Sequence, residues 1–199
     1  EHQLATDPIG AQDRLRVALD GLDDHYDVII IDCPPSLGLL TVNALFAADR
    51  VLIVAEPAAW SLDGVEQILR NVRRIADRQS GRPEVAGIVV NRLGRTRDAG
   101  YWFAQLQETH GDLLLEPAIS ARAAVTEAAA QSMPIHLLRR DGAEEAGDQF
   151  AALARTLDSR PAADAVTSLP TQRLDLTAEL DRSDVVAPAA GVAGLSREL

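Results

Sequence analysis

The chain contains no lysine; all 19 of its fully basic side chains are arginines. Within these 199 residues that excludes a phosphate-binding loop of the G-x-x-x-x-G-K-[ST] kind, whose lysine must reach the phosphate oxygens. The single cysteine, Cys33, excludes an internal disulfide framework and fits a reducing cytoplasm. The four histidines are scattered, without the spacing of a metal site. Aromatic residues are sparse, and Trp60, Tyr101, Trp102 and Phe103 are expected to pack rather than to stack on bases. No apolar stretch approaches the roughly 18–20 residues that cross a bilayer. The opening Glu1-His2-Gln3-Leu4 has neither the pattern of a signal peptide nor an initiator methionine, so further sequence is expected upstream. Positive charge is also in short supply. A net charge of −11 argues against DNA or membrane binding through overall charge, but leaves room for a local basic patch.

What is present is an alternation of apolar runs and amphipathic stretches. Residues 11–25 read as a helix. Val28-Ile29-Ile30-Ile31 is a β-branched run of the kind expected in a strand buried on both faces. Residues 39–48 read as a helix and Val51-Leu52-Ile53-Val54 as a second buried strand. Ser61 is a natural N-cap for a helix whose apolar residues Leu62, Val65, Ile68, Leu69, Val72 and Ile75 follow helical spacing. A strand over 85–90, a helix over 99–109, a short strand at 113–115 and a helix over 122–131 follow. An edge strand over 134–138 and a last helix over 143–157 complete the series. Strands alternating with helices imply an α/β fold, a doubly wound and mostly parallel sheet. From about residue 159 the composition shifts to Pro, Ala, Ser, Thr and Gly. The expected division is therefore a domain over 1–158 and a disordered tail over 159–199.

Asp32 ends the first apolar run and is followed by Pro34 and Pro35. In open α/β sheets ligands bind beyond the carboxyl ends of the strands. A carboxylate there can hold Mg²⁺ through water, because that ion sheds its waters reluctantly. Two prolines stiffen the turn and remove two backbone donors, and a stiff turn can pass the loss of a γ-phosphate to a partner surface. An aspartate capping the turn after a core strand fits the bare pattern as well.

The longer string from His25-Tyr26-Asp27 through Asp32-Cys33-Pro34-Pro35-Ser36-Leu37-Gly38 to Asn43-Ala44-Leu45 resembles the ParA/Soj family of deviant-Walker P-loop ATPases, which segregate plasmids and chromosomes. The likeness runs on through Ala48-Asp49-Arg50-Val51-Leu52-Ile53-Val54 and Ser61-Leu62-Asp63-Gly64, and covers roughly residues 20–155. It implies that Asp32 is the Mg²⁺-associated acidic residue and that Pro34, Pro35 and Ser36 form the second switch. It implies too that Asn91 reads adenine. Pro117 lies where the family passes backbone beside the base, although Glu116-Pro117-Ala118-Ile119 departs from the family's Pro-Arg-Asn pattern. Arg95-Thr96-Arg97 resembles a family Arg-Thr-Arg segment, making Arg92, Arg95 and Arg97 candidates for phosphate contacts to DNA, with Arg122, Arg139 and Arg140 beside them. The implied cofactors are ATP and Mg²⁺. The implied partners are non-specific DNA, a ParB-like centromere-binding protein and a second copy in an ATP-dependent homodimer, in a cytoplasmic, nucleoid-associated setting.

The family's P-loop, its signature second lysine and its first switch precede the part seen here. The chain is thus expected to be a fragment of an ATPase, without hydrolysis of its own. Three other readings stand beside this one. A ParA-like scaffold could serve only for interaction. A MinD-like positioning ATPase would need a basic amphipathic C-terminal helix, and residues 178–199 show none, so no membrane contact is expected. An amide ligase of the cobyrinate or dethiobiotin kind shares the fold, but Asp32-Cys33-Pro34-Pro35-Ser36-Leu37-Gly38 fits ParA better.

Overall fold

The computed structural model describes residues 10–22, 25–34 and 36–159. The second proline of the switch, Pro35, and all but the first residue of the tail expected over 159–199 lie outside the described residues. The elements in order are α1 (Arg14–Leu19), α2 (Leu39–Ala47), β1 (Arg50–Ala55), α3 (Ser61–Ala76), β2 (Glu84–Val90), α4 (Arg97–His110), α5 (Ala123–Ala130) and α6 (Ala143–Ser159). Two 3₁₀ turns, Gly111–Leu113 and Ile135–Leu137, lie between them.

The architecture is α/β, and its centre is a parallel pair. β1 and β2 align Arg50 with Glu84 and Ala55 with Val90. Their register steps between Val51 and Leu52, which pair with Val85 and Gly87 and leave Ala86 as the extra residue of a bulge. Gly87 has φ +152, and a Cβ there would lie 2.6 Å from Leu115 Cγ. Only glycine lets Leu115 press against the strand at this point. β2 is buried from Val85 to Val90, as its near-continuous apolar sequence requires. Helix α3 covers the pair with Val65, Leu69, Val72 and Ala76. These sit at i, i+4, i+7 and i+11, one apolar stripe. On α6, Leu153 joins Val89, Leu115 and Ile119 in a core cluster with Leu157 against it. Two side chains fasten that helix to the segment below: Gln149 accepts from the Ser120 amide at 3.2 Å, and Thr156 donates to the Glu116 carbonyl at 2.9 Å.

Five expectations need correction. Val28–Ile31 is not a strand: the segment has no ladder partner among the described residues, and Val28 and Ile30 are 72% and 88% exposed. β-branched propensity cannot replace a neighbour that accepts and donates the backbone hydrogen bonds. Leu113–Leu115 is reduced to a 3₁₀ turn and one parallel bridge, Ile88 to Leu114, with Leu115 N–H donating to the Ile88 carbonyl at 2.8 Å. Pro117 has no N–H with which to extend that ladder. Residues 135–137 form a 3₁₀ turn rather than an edge strand; Pro134 opens it by accepting from Leu137 N–H. Ser61 is the first helical residue, not the cap, because its hydroxyl donates back to the Glu56 carbonyl. Trp60 does not pack as expected either, being 75% exposed, whereas Tyr101, itself 56% exposed, packs edge-on against Trp102 with ring centroids 5.0 Å apart.

His110, at the end of α4, is buried. Its Nε2 lies 3.6 Å from Glu66 Oε1, too far for a hydrogen bond, and is unsatisfied. Desolvation holds its pKa below the ordinary 6.5, against an upward pull from Glu66, while Arg73 pushes it down further. The unfolded chain therefore takes up this proton at higher pH than the folded one. Stability from the neutral imidazole is complete above about 6.5 and falls as pH drops towards the lower folded value. Urea midpoints measured between about pH 7 and pH 5 should decline less steeply in His110→Gln than in the parent; equal slopes would remove His110 as the cause.

Candidate functional site

The segment carrying Asp32 is extended and open. Asp32, Cys33 and Pro34 are all exposed, and the Asp32 carboxylate makes no hydrogen bond or ion pair among the described residues. Cys33 is a free, exposed thiol. Desolvation by its surroundings and then the adjacent Asp32 charge raise its thiol pKa, so it is held protonated, which opposes nucleophilic use. Downstream the chain is tightly organised. Thr41 Oγ1 donates to the Ser36 carbonyl at 2.5 Å, fixing the turn that launches α2.

An Mg²⁺ ion would find in Asp32 a hard oxygen donor with free lone pairs, which suits it. No group of three or more His, Cys, Asp or Glu among the described residues could hold a metal ion. Asp32 would thus offer a single carboxylate to waters on the ion, and water and phosphate oxygens would make up the shell, since Mg²⁺ keeps several of its waters.

The carboxyl ends of β1 and β2 form a second cluster. Asn91 follows β2; its N–H donates to the Ala55 carbonyl at 2.8 Å, and its Oδ1 accepts from Arg92 N–H at 2.9 Å, holding a turn in which Arg92 has φ +56. The Asn91 amide nitrogen bonds no described residue, leaving a donor for an external acceptor. Ile119 N–H donates to the Val90 carbonyl and Leu93 N–H to the Ile119 carbonyl, at 2.8 and 2.9 Å. The structure so brings the segment that follows Pro117 alongside Asn91. Arg92 pairs with Glu56 at 3.2 Å, just beyond β1. Glu56 was not legible as a site residue; an acid directly after a buried strand was its one available signal.

The remaining arginines divide in two. Arg95 and Arg97 are exposed on either side of Thr96, whose hydroxyl caps α4 by accepting from Ala99 N–H at 3.1 Å; neither they nor Arg139 pair with a described carboxylate. Arg122 and Arg140 are engaged, with Glu145 and Glu127 respectively. Both line a cavity of about 550 Å³ with Gly142 and the start of α5. Arg122 Nε is buried there without a hydrogen-bond partner. Arg92, Arg122 and Arg140 are thus partly neutralised, while no described carboxylate neutralises Arg95, Arg97 or Arg139. None of the described residues joins Asp32 to these arginines or to Asn91 by a hydrogen bond or ion pair.

Among proteins of known family, the family model described as an AAA domain, AAA_31, matches residues 2–84. The chain is 34% identical over 139 residues to the sporulation initiation inhibitor protein Soj of Bacillus subtilis, covering 68% of this chain and 55% of Soj. It spans about half the length of the curated relatives it matches. Among solved structures, apo McdA of Cyanothece superposes with a TM-score of 0.67 at 22% identity, over 78% of this chain and 62% of McdA. Cobyrinic acid a,c-diamide synthase of Mycobacterium smegmatis, with bound ATP analog and magnesium, has a TM-score of 0.58 at 28% identity, over 80% of this chain and 59% of that one. No helix among the described residues is long and apolar enough to cross a membrane.

Proposed function

The chain belongs to the ParA/MinD type of P-loop proteins, and from that premise we propose that it is the switch-bearing part of a DNA-partitioning ATPase. The complete protein binds ATP and Mg²⁺, dimerises around nucleotide, holds DNA without sequence preference and releases it after hydrolysis stimulated by a ParB-like partner. Its place is the cytoplasm, on the nucleoid. Residues 1–158 are its domain portion and 159–199 its tail. The observation that carries this reading is Asp32: a carboxylate unpaired among the described residues, at the head of a turn that Ser36 and Thr41 tie to α2, in a chain 34% identical to Soj over 139 residues. Hydrolysis in such a protein works as a timer for a change of state, as γ-phosphate contacts hold a loop that relaxes when they are lost.

Within this scheme Asp32 positions Mg²⁺ through water, and the ion neutralises charge on the phosphates. Pro34, Pro35 and Ser36 carry the switch. Asn91 donates its free amide N–H to the adenine edge while Oδ1 holds its own turn, and backbone near Pro117 borders the base. Phosphates of DNA meet Arg95, Arg97 and Arg139 first, since no described carboxylate has to be displaced. Arg92, Arg122 and Arg140 must exchange Glu56, Glu145 and Glu127 for a phosphate.

The test is a titration of the full-length protein with duplex DNA in the presence of ATP. Arg95→Glu with Arg97→Glu is expected to weaken binding by about tenfold or more and to flatten the salt dependence by about two phosphate contacts. Affinity and salt slope both unchanged would remove this loop from the DNA surface. The cobyrinic acid synthase likeness is a second reading; it predicts ATP-dependent amide formation and no DNA-stimulated turnover.

A further inference from the structure

Asn43 sits in the middle of α2, only 3% exposed, and its amide makes three hydrogen bonds, all to main-chain groups. Its Nδ2 donates to the Ala11 carbonyl at 2.7 Å and to the Leu39 carbonyl at 3.0 Å, and its Oδ1 accepts from Leu15 N–H at 3.2 Å. Ala11 and Leu15 bracket the start of α1, which buries none of its own six residues. Two turns of chain that have little apolar hold of their own are thus gripped by one amide. Two residues earlier on the same helix, Thr41 grips the other side, through the Ser36 carbonyl. Asp32 lies four residues before that carbonyl. The helix α2 is therefore tied at one end of its first turns to the segment that follows Asp32 and at the other to the helix that precedes it.

A buried asparagine that serves packing alone needs only some partner for each polar atom. Here two of the three partners are main-chain groups 28 and 32 residues away in sequence. Loss of the amide would leave those groups without partners, so α1 would detach while α2 stayed helical. We propose that Asn43 and Thr41 are a positioning pair: they make α1 move as one body with the turn after Asp32, so that α1 carries the nucleotide state of the switch to the protein surface. The proposal rests on the nucleotide-switch reading above and adds to it an output element, α1, whose Val17 is 65% exposed.

The experiment is amide hydrogen–deuterium exchange on the full-length protein with Mg²⁺ and either ATP or ADP, with affinity for a fluorescent ATP analogue measured alongside. In the parent, residues 11–19 and 36–47 are expected to change protection together between ATP and ADP. In Asn43→Ala, exchange at 11–19 is expected to rise about tenfold and to become indifferent to nucleotide, because up to about one decade in an opening equilibrium hangs on a buried hydrogen bond. Residues 36–47 should still respond and analogue affinity should hold within about twofold. Thr41→Val, which keeps the side chain's shape but loses the donor to the Ser36 carbonyl, provides a second variant should the alanine form fold poorly, and in it residues 11–19 are expected to keep their protection but to lose their response to nucleotide. Residues 11–19 that respond equally in parent and variants would overturn the tie, as would residues 11–19 that ignore nucleotide in a parent whose switch responds. Failure of the parent to bind the analogue at all would instead overturn the nucleotide reading itself, and the coupling with it.

Discussion

The isolated 199-residue chain is expected to self-associate in solution rather than to behave as a monomer. β1 has one ladder neighbour, β2, so among the described residues its other edge is unpaired. Along the same strand Leu52 and Val54 are 37% and 59% exposed while Ile53 and Ala55 are buried, leaving one face uncovered. Val28 and Ile30 add more exposed apolar surface from a segment that itself has strand propensity and no partner. An open edge beside an apolar face is a template for pairing with another chain. Sedimentation velocity over about 5–50 µM, the range in which such surfaces associate, should show species larger than one chain, growing with concentration. Val54→Lys with Ile30→Glu places charges on the open face and segment, the device that natural edges use, and should shift the population to monomer. A parent chain that sediments as a single monomer throughout that range would sink the idea.

The second large effect concerns Asp32. In the full-length protein, Asp32→Ala is expected to lower Mg²⁺-dependent ATP turnover by about 10- to 100-fold, the usual loss when an outer partner of a metal site is removed. Asp32→Asn, which keeps the size and removes the charge, should lose nearly as much, because the contribution is electrostatic. ATP affinity measured without Mg²⁺ should change little in both. The chain studied alone is expected to show no turnover above a blank, since with no lysine it cannot supply the P-loop amine that reaches the phosphates. Turnover by the isolated chain that disappears with Asp32→Ala would show instead that it catalyses without that loop. In the full-length protein, an undiminished rate in Asp32→Ala would return Asp32 to the role of a turn residue.

Much of the candidate site could be read from the order of residues alone. The run that ends in Asp32 with prolines after it, and the family likeness built on that run, need no coordinates, because both are local. Asn91 at the end of a buried strand was equally legible. Glu56 was not, because its pairing with Arg92 spans 36 residues and depends on the two strands lying side by side. Nor did arginines in the sequence reveal which of them are already neutralised: Arg122 and Arg140 look the same as Arg139 until Glu145 and Glu127 are brought to them.

The sequence by itself determined the α/β class, most of the helices, the two paired strands and the family, since periodicity and short motifs are properties of neighbouring residues. It also determined, through the absence of lysine, that phosphate recognition by a P-loop is not housed in this chain. The tertiary structure alone decided that the valine and isoleucine run before Asp32 stands unpaired, because a strand exists only where a second backbone meets its hydrogen bonds. It alone disclosed that Asn43 binds α1 to α2, since hydrogen bonds between residues some thirty positions apart are made by the fold and leave no periodic trace in the chain.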